Sequence, residues 1–205
     1  MFYQNATYME LDGTGVFGVA TPGAWTTEWL GQSLMRLKRQ CAGTELVHLT
    51  GPVPTWALCA AAAVIVPSAL CLDAADRIGL NRLICTPFPV DAGGSDCGVD
   101  VDLHEVGDQA LLSVRCDPSR FDFLRFDDIV VPPMTPGLRA VLFGAISPPV
   151  AVSMTLSYAP FASSIWMPAG DGAGWDICVA SRSAQHAVGD RMTHKIQRER
   201  TGQHG

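Results

Sequence analysis

The residues best suited to chemistry are Asp73, Asp76 and Arg77, which follow directly on the apolar run SALCL. Sheets of the α/β type commonly present ligand groups where a buried strand ends, so this acidic corner is the candidate catalytic position, with Asp73 and Asp76 as its carboxylates and Arg77 beside them for a phosphate. The same three residues also suit a plain turn whose aspartates bond to nearby backbone N–H groups. A second group lies upstream: Gly51, Pro52 and Thr55 can offer backbone N–H groups and a hydroxyl to a phosphate at a helix N-terminus, or simply start that helix. Trp56, on the first helical turn, reads as a core residue or as an indole on which an adenine stacks. Arg82 and Arg182 suit phosphate contacts or salt bridges. His48 sits inside an apolar strand as a core histidine, and His104 and His186 sit in polar segments as surface residues. No Ser/His/Asp set has informative spacing, and Gly13-Thr14-Gly15 lacks the third glycine of a dinucleotide fingerprint.

The elements that must position these residues recur. Setting Gly51 on Gly144 places Leu49 on Leu142, Pro67 on Pro160, Gly79 on Gly172, Ile84 on Ile177 and Cys85 on Cys178, at a constant offset of 93. Upstream, GVFGVA (15–20) has its counterpart in ALLSV (110–114). Ungapped register over such a length points to two copies of one unit. In each copy ELVHLTG or RAVLFGA reads as a buried strand leaving the sheet at a glycine. Pro52 and Pro54, or Pro148 and Pro149, then fit the first turn of a helix, WALCAAAAVIV or VAVSMTLSYA, which a proline ends. SALCLD and FASSIWM, then LNRLICT and GWDICVAS, read as further strands. Ala60 to Ala63 marks a helix face in close packing with the sheet or the other copy.

The expected fold is therefore α+β: two tandem copies of a small mixed-sheet domain with one main helix each, packed as an internal pseudo-dimer. The first copy spans 1–92, a linker 93–100 lies within the Gly/Asp/Ser-rich stretch VDAGGSDCGVD, the second copy spans 101–194, and 195–205 is a disordered tail.

Composition narrows the partners. The 205 residues are 48% hydrophobic and only 17% charged, with a formal net charge of −6. That balance argues against a duplex-DNA binder, which must neutralise many phosphates. The alanine-rich run is too short to span a bilayer, no secretory signal is present, and the seven cysteines form no CxxC pair, so a reduced, cytoplasmic setting is expected.

The order strand, Gly51-x-x-Pro54-x-Trp56, apolar helix, Pro67, strand and acidic turn with Arg77 resembles the small CRISPR-associated ring-nuclease family of type III systems. RSAQHAVGD (182–190) is similar to that family's C-terminal polar segment, and ALLSVRC with FDDIVVP to its opening. The resemblance implies a protein of antiviral defence that binds cyclic tetra-adenylate or an RNA end, a manganese cofactor, and other CRISPR effector proteins as partners. The family's histidines are absent: Ala60 to Ala63 and Ser153 to Leu156 occupy the helix, and Thr86 and Arg182 the later position. The expectation is thus a cyclic-oligoadenylate binder with weak or no ring-nuclease activity, its ligand held by Gly51, Pro52, Thr55, Trp56, Arg77, Arg82 and Arg182. A non-catalytic structural or interaction subunit is the alternative, and the metal ligands are not assigned.

Overall fold

The structure, a computed structural model, describes residues 6–10, 27–50, 54–65, 69–75, 80–92, 94, 97–117, 120–121, 123–170 and 174–193, with the backbone alone at 6–10, 27–30, 50, 69, 73–75 and 80–82. It is mixed α+β with two sheets. The first has four strands, β1 (Ala6–Glu10), β2 (Leu46–Thr50), β3 (Ala69–Ala75) and β4 (Leu80–Cys85), in that spatial order. β1, β2 and β3 run parallel, and β4 is antiparallel to β3. Two helices belong to this half, α1 (Thr27–Gln40) and α2 (Thr55–Ile65).

The second sheet has six strands: β5 (Val99–Val106), β6 (Gln109–Cys116), β7 (Arg139–Ala145), β8 (Ser164–Pro168), β9 (Trp175–Ser181) and β10 (Arg191–Thr193), ordered β10-β9-β8-β7-β6-β5. Its centre repeats the plan of the first sheet, since β6, β7 and β8 are parallel and β9 is antiparallel to β8. Helix α3 (Pro148–Tyr158) joins β7 to β8. Its bounds are those of α2 displaced by 93 residues, and Leu46 at the start of β2 stands 93 before Arg139 at the start of β7.

The offset does not survive into the following strands. Leu46 stands opposite Ala69, whereas Arg139 stands opposite Ser164 and not Ala162. The cause is the turn after α3, where Phe161 and Ala162 both donate to the Tyr158 carbonyl before β8 begins. A bulge between Ile165 and Trp166 shifts the next pairing again. Cys85 and Cys178, aligned in sequence, therefore hold different places in their sheets.

Three further differences from expectation have local causes. The first half carries two helices, because Leu34 and Leu37 recur at a helical interval on the buried side of α1 while Met35, Arg36, Lys38 and Arg39 face solvent. The corresponding stretch of the second half, between β6 and β7, shows among its described residues a 3-10 turn over Phe123–Asp128 and no α-helix. Among the described residues the strand before α1 is β1, and GVFGVA, expected as a strand, lies outside them. Gly144 does not end β7 but stands inside it, at φ +115, where a Cβ would run into the Val114 carbonyl of β6.

Helices α2 and α3 pack on each other between the sheets: α2 touches β9, and α3 touches β3 and β4. A helix enclosed in this way has no polar face to spare, and α3 buries nine of its residues, from Pro149 round to Tyr158. Two of its hydroxyls bond back along the helix. Thr155 Oγ1 donates to the Ala151 carbonyl, and Ser157 Oγ donates to the Ser153 carbonyl while accepting the Phe88 backbone N–H at 2.7 Å. One continuous apolar core includes Leu37, Leu49, Leu70 and Trp56 from the first half and Leu112, Leu142, Met154 and Ile165 from the second. The segment after β4 is stitched to the second half, by the Phe88 and Phe126 rings 5.1 Å apart and by a parallel bridge of Val90 to Val131. Strand β5 begins at Val99, inside the stretch expected to link the halves.

Candidate functional site

Alternation along a strand sends successive residues to opposite faces. In the first sheet Val47, Leu49, Leu70, Leu72 and Cys85 belong to the apolar core, whereas His48 and its register partner Cys71 are buried, at 7% and 3% exposure, outside that cluster. Cys71 is in turn opposite Ile84 on β4. Two residues further along β3, Asp73 stands opposite Arg82, in the same alternation set of the pleat. His48, Cys71, Asp73 and Arg82 thus hold neighbouring register positions on three adjacent strands.

The other expected residues divide. Asp76, Arg77, Gly51 and Pro52 lie outside the described residues. Thr55 opens α2 and is half-buried. Trp56 beside it is 3% exposed and packed into the core, so the helix start, not base stacking, explains its position. Arg182 is in the other sheet, just beyond β9; its guanidinium donates to the Pro160 carbonyl after α3, and its backbone N–H donates to the Ser163 carbonyl at 2.8 Å. The structure therefore brings Asp73 and Arg82 together by register and does not add Arg182 to them. Among the described residues, no three of His, Cys, Asp and Glu gather as a metal site requires.

The equivalent row of the second sheet is Val141, Trp166 and Cys178, by the same register logic. These three pack as a separate small apolar cluster with Leu111 and Met192. The loop 182–190 closes over it, with the His186 ring edge-on to Trp166 at 5.2 Å, and the Trp166 indole N–H donates to Ser164 Oγ at 2.8 Å. His186 is half-buried here, not a free surface residue.

Three buried thiols are inert. Burial pushes Cys59 up to about 12, opposed by the Thr155 side chain beside it, and pushes Cys85 up to about 12, opposed by the neighbouring Ser153 side chain. Cys178 is likewise raised to about 12, first by burial and then by the Asp190 charge. At neutral pH all three are protonated and pack as small apolar groups.

Sequence reading missed Arg139 and Asp108. Arg139 opens β7, is 16% exposed, and its Nη2 donates to an Asp108 carboxylate oxygen at 2.9 Å across the β5–β6 hairpin turn. Its only sequence signal is a charge at the head of the apolar run AVLF, and its partner lies 31 residues away on another element.

Compared with protein-family models, curated proteins and solved structures, the chain matches none of them.

Proposed function

We propose that the chain is a tandem pair of one small α+β unit, packed as an internal pseudo-dimer about α2 and α3, and that it binds a cyclic oligoadenylate or an RNA end in the cleft between the two copies, in antiviral defence of the CRISPR type. The observation that carries this reading is the helix pair: α2 and α3 are 93 residues apart and pack on each other, and α2 reaches β9 of the second half while α3 reaches β3 and β4 of the first. A homodimer places one patch against its own copy in this reciprocal way. A ring of repeated adenylates has matching symmetry, so such a cleft meets it with related elements from both sides. Asp73 and Arg82 hold register positions in the alternation set of His48 and Cys71, outside the shared core, where the second copy has the Val141, Trp166 and Cys178 cluster, so contacts inside the cleft are assigned to Arg77 of the first copy. No catalytic step is assigned to Asp73, Asp76 or His48, and no step is routed through manganese.

The experiment is isothermal titration of the full chain with cyclic tetra-adenylate and cyclic hexa-adenylate, with and without manganese, followed by chromatography of the recovered ligand. Binding of intact ligand, lost in Arg77→Ala, is the expected result; cleaved ligand restores the enzyme. Absence of heat with both rings removes the nucleotide reading.

A second reading has its own observation. Leu124 in the 3-10 turn is 88% exposed and Val106 at the hairpin is 63% exposed, both on the second half. Apolar residues this open suit a non-catalytic interaction subunit of an antiviral complex. Under that reading assembly, and not ligand heat, responds to Leu124→Ser.

A further inference from the structure

We propose that the cleft at the amino-terminal ends of β6, β7 and β8 is a second ligand site, one that takes the phosphate group of a small phosphomonoester on Arg139. It lies wholly in the second half and is independent of the oligoadenylate reading. The cleft has a volume of about 400 Å³ and is lined by Asp108, Arg139, Ser163, Ser183, Gln185 and His186. That volume is within the range of small-molecule sites, larger than a bare ion needs.

Arg139 is held as an anchor would be. Its Nη1 is directed at Met192 Sδ, 3.3 Å away, and Nη2 at Asp108, while its Nε–H is buried without a hydrogen-bond partner among the described residues. The buried Oε1 of Gln109, which stands opposite Arg139 in register, is also unpaired. A guanidinium this enclosed, with a donor unused, is an incomplete polar network, and such a donor is costly to leave unmade. The partner it does have is weakly committed: Asp108 is 78% exposed on a two-residue hairpin turn, so its ion pair is worth little against solvent. An exposed carboxylate on an enclosed guanidinium is what an incoming oxyanion can displace.

The opposite wall is already braced. The backbone N–H groups of Arg182 and Ser183 both donate to the Ser163 carbonyl, Ser181 Oγ donates to the His186 carbonyl at 2.6 Å, and the Gln185 N–H donates to Ser183 Oγ at 3.0 Å. These bonds fix the loop and leave the Ser183 hydroxyl hydrogen and the Gln185 side chain for a guest. Arginine, two hydroxyls, an amide and an imidazole around one cleft offer more donors than a carboxylate can use, and suit the three terminal oxygens of a phosphomonoester. Little ordering remains to be done on binding.

The test is an NMR titration of the full-length protein with inorganic phosphate and with glycerol phosphate, acetate serving as control, reading the Arg139 Nε–H and the His186 imidazole. Saturable shifts at both with the phosphates, and weaker ones with acetate, are expected. Asp108→Asn removes the competitor and keeps the anchor, so phosphate affinity rises about three- to fivefold, the worth of an exposed ion pair. Arg139→Met abolishes the saturable shift. Shifts that rise linearly with ionic strength in both wild type and Asp108→Asn, or acetate binding as tightly as phosphate, overturn the proposal.

Discussion

The two sheets place one row of three residues at the same register and fill it differently. On the first sheet the row is His48, Cys71 and Ile84; on the second it is Val141, Trp166 and Cys178. The second row is sealed, with Trp166 at 1% exposure under the loop 182–190, while the first row opens outward at Ile84, which is 39% exposed. A large indole needs a lid and a hydrogen-bond partner, and the loop and Ser164 Oγ supply them. His48 and Cys71 are covered as well, but an imidazole and a thiol fill less volume than an indole. The difference teaches that one backbone plan can serve as a closed brace on one side and keep a polar row on the other.

The comparison breaks most visibly at Trp166. Trp166→Ala removes the side chain that fills the second row and should cost about 3–5 kcal/mol in urea unfolding. A loss under 1 kcal/mol would mean that the loop, not the indole, holds that face. Ser157→Ala comes next, because it leaves the buried Phe88 N–H without its acceptor and detaches the segment that joins the halves. It should cost about 1–3 kcal/mol by the same measurement. His48→Val gives the first sheet the residue of the second; it should change stability by about 1 kcal/mol yet abolish heat from cyclic tetra-adenylate if the polar row is a ligand site. Retained binding would remove His48 from that site.

The smallest effect is expected at Glu105, on the exposed end of β5. Its carboxylate accepts the Thr135 backbone N–H at 2.6 Å and hydroxyl at 2.8 Å, which hold its pKa below the usual carboxylate value. A depressed carboxylate contributes stability above its unfolded pKa and loses that contribution as pH falls through the folded one. Urea midpoints for wild type and Glu105→Gln should therefore differ near neutral pH and converge in acid. Parallel curves would show that the pair contributes nothing.

Much of this architecture was legible, for reasons that particular residues make plain. LVHLT, AVLF and SIWMP are short apolar runs between breakers, and Pro148-Pro149 marks the start of α3, so strands and helices at those places followed from local chemistry. The register slip after α3 was not legible, because the Tyr158 carbonyl turn and the bulge at Trp166 are set by packing and leave no mark in the apolar pattern. Asp73 and Arg82 were both visible as single residues, but their opposition depends on the hairpin register. Arg139 and Asp108 were invisible because nothing local joins a strand start to a hairpin tip.

The enclosure of α3 bears on how the protein is made. During synthesis from the N-terminus, α2 leaves the ribosome well before the residues of α3 and β9 against which it packs. Until then α2 has α1 to meet but lacks the cover of α3 and β9, although Ala60, Ala61 and Ala62 end fully buried. Nascent chains stalled before residue 148 should therefore be readily digested by protease, and those that include β9 should resist it. The second half of the gene supplies the wall on which the first half is finished.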